Sequence, residues 1–288
     1  MSRVLALIGA VCLIAAAILA RALLTDDGDD DGAGDDDGDA ELVVACIPEL
    51  EDACRAIDRP MTLSIEDPAV TIERLAAGED VDAWVTFGPW PEMATILERR
   101  IQPADVVPVA ATDLRLLVRT IAIPDGCDDP ATWTCLVDGV GDRVAIPSPS
   151  SGLGALVLGQ AAADFFGSSA VASNDLSEPG LAGRLSSLEV DDDPLGDMRV
   201  GLPEPVATGL LGVDLDTLGA RTSNFTDSPS GAPATVSVVV AGRDADRVAG
   251  EPRFTEALEA AGWTIAADAA TTGLPNAGVL IALRSAVG

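Results

Sequence analysis

The run Pro147-Ser148-Pro149-Ser150-Ser151-Gly152-Leu153-Gly154 stands between an apolar strand-like stretch, Arg143 to Ile146, and an alanine-rich helical stretch, Ala155 to Phe166. A strand that passes so abruptly into a helix belongs to a repeating βα plan, so the fold class is α/β. The turn itself gathers polar groups. A helix N-terminus has orphan N–H donors and a partial positive charge, so Ser148, Ser150, Ser151 and Gly152 are candidates to hold a carboxylate, an oxyanion or a polar headgroup. The plainer reading is a serine N-cap with a glycine-rich entry.

The first two dozen residues read as an export segment. Arg3 precedes an uncharged apolar run from Val4 to Ala20, then Arg21 and Ala22-Leu23-Leu24. As a helix the run spans about 26 Å, or about 31 Å if Arg21 snorkels and it continues to Leu24. A retained transmembrane signal anchor over 1–24 is favoured. A cleaved signal peptide is the alternative, since Ala20-Arg21-Ala22 has the small-x-small pattern of a cleavage site. A lipoprotein reading of Cys12 fails because Val11 precedes it where a small residue is needed. With basic charge only on the amino side and an acidic tract on the other, the body is expected outside a cell membrane crossed once, or secreted if the signal is cleaved. Residues 25–40 are almost entirely Asp and Gly, a composition expected to form a disordered, extended linker. That tract lacks the spaced ligands and terminal Glu of an EF-hand loop, so it is read as a spacer rather than a metal site.

Outside the apolar run four cysteines fall into two close pairs, Cys46 with Cys54 and Cys127 with Cys135. In an oxidising compartment such spacing suits two local disulfides, although other connectivities are compatible with the sequence. Zinc is the rival, but the chain has no His and the close Cys spacing of zinc sites is missing. Formal net charge is −30, and −21 without the nine aspartates of the linker; there is no Lys and the 17 arginines are scattered. Nucleic acid needs a basic footprint, so it is excluded as a partner.

Residues 41–288 alternate strands and helices. Glu41 to Ile47 reads as a buried strand, followed by a short helix around Cys54; Met61 to Ile65 is a second strand, and a helix from Pro68 ends at Gly78. Val81 to Phe87 is a third strand, and Gly88-Pro89-Trp90-Pro91 turns into a helix over Glu92 to Arg99. Val106 to Val109 and Leu114 to Val118 supply two further strands, and Met198 to Leu202 another. A helix is expected near Leu181 to Leu188, the most strand-like run at Thr235 to Ala241, a helix over Phe254 to Ala261 closed by Gly262-Trp263, and a last helix over Gly278 to Ser285.

Open α/β sheets bind ligands beyond the carboxyl ends of their strands, which names candidates directly. Pro48 and Glu49 follow the first strand; Thr86, Gly88 and Trp90 follow the third; Ser148, Ser150, Ser151 and Gly152 follow the strand before the serine turn. Glu204 and a turn at Thr226-Asp227-Ser228 are weaker candidates. Trp90 lies in a Gly-Pro turn, where exposure is expected and ligand stacking competes with packing. Glu49 can equally cap the first helix or face solvent. Trp84 and Trp263 are read as core and Asp82, at the other strand end, as structural.

In layout and local motifs the chain resembles the extracellular solute-binding proteins of the type II periplasmic-binding fold. The resemblance rests on the opening strand, Leu75-Ala76-Ala77-Gly78-Glu79-Asp80-Val81-Asp82-Ala83, the Pro-x-Ser-Ser-Gly turn after an apolar strand, the Val236 to Val240 strand and the helix into Gly262-Trp263. It implies two α/β lobes, 41–119 plus 235–288 and 120–234, joined by crossover hinge strands near Leu117 to Thr120 and Ala232 to Thr235. It also implies capture of a small polar solute in the cleft between them, in partnership with a membrane permease or a sensor, and no cofactor. Members that hold organic acids or oxyanions often add a basic residue; no Arg sits in the candidate turns, Arg115 and Arg143 being nearest in sequence, so ligand charge stays open. The alternative function is a solute-binding fold repurposed as an extracellular interaction or scaffold domain. An enzyme is disfavoured: with no His, Lys or Tyr and no Gly-x-Ser-x-Gly elbow, the usual serine-activating bases are missing.

Overall fold

The longest strand of the molecule, β4 (Asp105–Arg119), organises everything around it. Its first part runs antiparallel to β9 (Ala234–Gly242), from Asp105 opposite Gly242 to Leu114 opposite Ala234. Its second part runs antiparallel to β7 (Ala207–Leu211), from Leu114 opposite Leu211 to Val118 opposite Ala207. The computed structural model describes residues 41–127, 131–217, 225–228 and 233–287; the apolar run 4–24, the Asp/Gly tract 25–40 and Ala232 of the second hinge lie outside them.

Two parallel wings flank this antiparallel centre. One is β2 (Met61–Ile65), β1 (Leu42–Cys46) and β3 (Ala83–Phe87), with β1 central and β3 antiparallel to β9. The other is β7, β5 (Val144–Pro147) and β6 (Glu189–Asp191). Among the described residues the strands form one sheet in the order β2-β1-β3-β9-β4-β7-β5-β6, with β8 (Phe225–Ser228) and β10 (Thr264–Ile265) both paired to β4. Residues 41–288 thereby make a single compact unit.

The helices are α1 (Glu51–Arg55), α2 (Pro68–Ala77), α3 (Trp90–Leu97), α4 (Trp133–Val140), α5 (Gly152–Phe166), α6 (Pro179–Leu185), α7 (Pro194–Val200), α8 (Gly212–Thr217), α9 (Ala245–Ala249), α10 (Pro252–Ala260) and α11 (Ala277–Val287). Helix α5 is the most enclosed, buried from Gly152 through Ala163. Its small residues permit this. A Cβ at Gly159 would lie 2.5 Å from Leu280 Cδ2, so the glycine lets α11 press directly onto α5. Buried Gln160 ties α5 to its neighbours: its carbonyl accepts from Trp133 Nε1 at 3.2 Å and its amide donates to the Leu114 carbonyl at 3.0 Å.

Cysteines pair as Cys46–Cys54 and Cys127–Cys135, with Cα separations of 6.6 and 5.7 Å. The first bond closes the loop that carries Glu49, joining the end of β1 to α1. Trp84 and Trp263 are buried, Trp263 stacking at 5.8 Å on Phe87. Asp82 is structural, accepting from the Val43 N–H at 2.8 Å and from Arg243 Nε at 2.6 Å.

Three sequence expectations are corrected. The strands expected at Val106–Val109 and Leu114–Val118 are one strand; the polar Thr112-Asp113 pair interrupts the apolar pattern, but both residues stay in register with β9, and only a register shift between Pro108 and Ala110 marks the irregularity. Met198 to Leu202 is not a strand. Asp193 Oδ1 accepts from Gly196 N–H at 2.8 Å, Pro194 occupies the first turn and left-handed Gly201 ends α7, whose Met198 packs with Leu117 and Leu210. Thr226-Asp227-Ser228 is β8 rather than a turn, held at the sheet's edge partly by Arg115 with Asp227 at 3.5 Å.

Replacing Gln160 with Leu would strand the Trp133 N–H and the Leu114 carbonyl in the interior. The variant is expected to lose about 1–3 kcal/mol of stability with an unchanged slope in urea denaturation.

Candidate functional site

Turns at the carboxyl ends of β1, β3 and β5 meet at one place, the first turn of α5. Ser151 is the N-cap of that helix: its Oγ accepts from the Gly154 N–H at 3.0 Å and donates to the Ser148 carbonyl at 2.8 Å. Ser148 and Ser150 share a hydroxyl hydrogen bond of 2.8 Å. The next free helix donor, the Leu153 N–H, is taken from the other wing of the sheet by Glu49, whose Oε1 accepts it at 2.8 Å. Trp90, from the β3 turn, donates its indole N–H to the Gly152 carbonyl at 3.0 Å.

Gly152 is what allows this approach. A Cβ there would lie 2.9 Å from Glu49 Oε2, 3.0 Å from Oε1 and 2.9 Å from Ile47 Cδ1. The carboxylate is thus wedged against bare backbone. Its Oε2 is sealed from solvent and has no hydrogen-bond partner. Burial pushes the Glu49 carboxyl above its ordinary range, opposed by backbone N–H donors including Leu153 and reinforced by the charges of Asp67 and Asp214. Asp67 is itself raised by burial and by Asp192.

Those acids share a pattern. Asp67 follows β2, Asp192 follows β6 and Asp214 lies in α8 directly after β7. With Glu49 after β1, four strand ends each carry a carboxylate, two from each of the opposed wings, and their charges reach one another across the meeting point. None of Asp67, Asp192 and Asp214 is among the sequence candidates; Asp67 stands two residues past an expected strand, a signal that would have found it, whereas the strands before Asp192 and Asp214 carry too little pattern to be expected.

Arg284 was also missed. From α11 it donates Nε–H to the Pro149 carbonyl at 2.7 Å and lies 4.7 Å from the centroid of the Trp90 ring. Burial lowers its pKa. No Arg sits in the candidate turns themselves, but tertiary packing brings one to them across 135 residues of chain, which no local pattern encodes. Trp90 is corrected. Between Arg284 and Gly152 the ring is fully buried, not exposed in its Gly-Pro turn.

The other candidates are placed apart from this meeting point. Pro48 is exposed beside Glu49, and Thr86 is fully buried within β3. Gly88 is packed under Thr271 and Ser237, its N–H donating to the Ser237 carbonyl at 2.9 Å and its carbonyl accepting from Thr271 Oγ1 at 2.8 Å. Glu204 pairs with Arg143 at 3.3 Å. Among the described residues no group of three or more His, Cys, Asp or Glu is arranged to hold a metal ion.

No protein-family model matches the chain, and no curated protein matches it. Solved structures do. A periplasmic thiamin-binding protein aligns at 12% identity with a TM-score of 0.55, over 86% of this chain and 96% of that one. The sulfate-binding protein SubI of Mycobacterium tuberculosis H37Rv aligns at 13% identity and a TM-score of 0.51, over 78% and 86%. The Atu4243 GABA receptor aligns at 11% identity and a TM-score of 0.53, over 78% and 82%. The fold is that of the periplasmic solute-binding proteins. The Glu49–α5 contact spans from one parallel wing of the sheet to the other.

Two variants probe the contact. Gly152→Ala is expected to displace Glu49 and cost about 1–3 kcal/mol, the usual penalty of overpacking. Glu49→Gln keeps an acceptor for the Leu153 N–H but removes the buried charge. Because the folded-state pKa of Glu49 is raised, its protonated form is favoured on folding, and stability from it is present at low pH and lost as pH rises through that pKa. Glu49→Gln is therefore expected to be more stable than the parent at pH 7–8, by about 2–4 °C in Tm for each kcal/mol relieved, with the advantage vanishing in acid. Thermal melts across pH measure both.

Proposed function

We propose that the chain captures a small polar solute at the carboxyl ends of its strands, for delivery to a membrane permease or for sensing. The observation that carries this reading is Glu49: a buried carboxylate whose Oε2 is unpartnered, set where the turns after β1, β3 and β5 converge. A desolvated acceptor without a donor is costly in a purely structural role, and a bound solute offsets that cost. The solute-binding fold supports the same assignment, since open α/β sheets bind ligands at this edge. Lobes 41–119 plus 235–288 and 120–234 would close about β4 and β9, and the body would stand outside the membrane on the Asp/Gly linker, held by the 1–24 segment.

A second reading has its own observation. Most groups of the serine turn are already satisfied internally, Ser148 with Ser150, Ser151 with Gly154 and Trp90 with Gly152. That self-sufficiency favours an extracellular interaction or scaffold domain that keeps the fold without a solute.

Thermal shift against a panel of amines, amino acids, sugars and oxyanions separates the two. A solute at 100 times its Kd adds about 2.7 kcal/mol, expected as a rise of about 5–10 °C in Tm. A paired Ser148→Ala, Ser150→Ala variant, which leaves the Ser151 cap intact, is expected to shrink that rise. A flat response across the panel rejects solute capture in favour of the scaffold.

A further inference from the structure

Helix α11 packs one side onto α5 and borders, on another, a cavity of about 420 Å³ between α2, the end of α3 and itself. Ala69, Ile72 and Ala76 line it from one face of α2, so the cavity is a groove that follows that helix for about 10 Å. Leu97, half exposed at the end of α3, and Ile281 complete its apolar wall. Arg284 lines the same groove from α11. Its Nε–H is spent on the Pro149 carbonyl at 2.7 Å, and the Trp90 ring, 4.7 Å away, holds the guanidinium in place. Among the described residues nothing bonds Nη1 or Nη2, and neither nitrogen is sealed from solvent. The two acids in the lining do not compensate it: Glu98 is committed to Arg100 at 3.1 Å, and Glu73 is exposed and makes no ion pair with Arg284. Burial lowers the Arg284 pKa with no neighbouring carboxylate opposing it. In a chain of net charge −30, a half-buried guanidinium therefore stands in a cavity without a counter-ion.

We propose that this groove is a second binding site, separate from the strand-end turns, for a small monocarboxylate with an apolar body: the carboxylate on the Nη atoms of Arg284, the body along α2. Two parallel N–H donors fixed by the Trp90 face and the Pro149 carbonyl present the fork that a carboxylate fits, with little left to order on binding. One guanidinium balances one negative charge, and Glu73 and Glu98 repel a second, which selects a monoanion over a dianion. The aliphatic lining takes the body out of water, and the volume falls in the range of small-molecule sites.

Titration calorimetry on the full-length protein with octanoate, octanol, octylamine, octyl phosphate and acetate tests the assignment. Octanoate is expected to bind, octyl phosphate and acetate at least 10-fold more weakly, and octanol and octylamine not at all. Arg284→Gln is expected to weaken octanoate binding 10–100-fold, with Arg284→Lys between the two because it keeps the charge and loses the fork. Since Arg284 also braces the Pro149 turn, Ala76→Phe provides an independent variant: it fills the apolar part of the groove, leaves Arg284 in place and is expected to weaken octanoate binding at least 10-fold. Melts establish that each variant folds, and where Arg284→Gln does not, Ala76→Phe decides. Octanoate binding unchanged in a folded Arg284→Gln or Ala76→Phe variant would overturn the site. So would equal binding of octanol or octylamine, which marks an indifferent apolar surface, or preference for octyl phosphate, which removes the monocarboxylate. Silence toward octanoate overturns the groove while leaving solute capture at the strand ends standing.

Discussion

The backbone ladder of β4 is the constraint on which the remaining architecture depends. A 15-residue strand pairs along its first part with β9 and along its second with β7 and β8, so one parallel wing is bonded to it directly through β7 and the other through β9. Three successive antiparallel pairings, β3 with β9, β9 with β4 and β4 with β7, make the two wings run in opposite directions, so the turn after β5 meets the turns after β1 and β3 from the opposing side. The meeting of Glu49, Trp90 and Gly152 is a consequence of that topology. No turn carries the site alone; the sheet assembles it.

At that edge the balance is electrostatic. A helix N-terminus normally attracts an anion from solution, and here the protein supplies one from its other wing. Glu49 gains a charge-assisted bond from Leu153 and loses hydration, and burial is the larger effect, as the upward displacement of its carboxyl indicates. Asp67 and Asp214 deepen the negative field. Arg284 bonds the Pro149 carbonyl and lies over the Trp90 face, so it braces the turn. The outcome is a site with spare acceptor capacity and few spare donors.

Much of the fold was legible because local chemistry and burial agree there. Met61–Ile65 matches its expected strand, α2 begins at Pro68 and closes on left-handed Gly78, and Ala234–Gly242 extends the most strand-like run by one residue at each end. Reading failed where the two disagree. Met198 lies in a helix because Asp193, Pro194 and Gly201 punctuate it, while a short apolar alternation suggests a strand. Ala207–Leu211, fully buried, went unseen because its small residues carry little β signal. Within the site, Ser148, Ser150, Ser151, Gly152 and Glu49 were legible as residues following strands, whereas the partnership of Glu49 with Leu153 was not.

The sequence by itself determined the α/β class, the two cysteine pairs, the acidic character of the body and the strand-to-helix turn that begins α5, since these follow from composition, spacing and capping chemistry along neighbouring residues. Tertiary structure alone decided that Glu49 fills the helix N-terminus, that Arg284 covers Trp90, and that the carboxylates of the two opposed wings act on one another. The physical reason is distance along the chain: Glu49 and Leu153 are separated by 104 residues and Pro149 and Arg284 by 135, so only the sheet's crossover order brings their charges within reach.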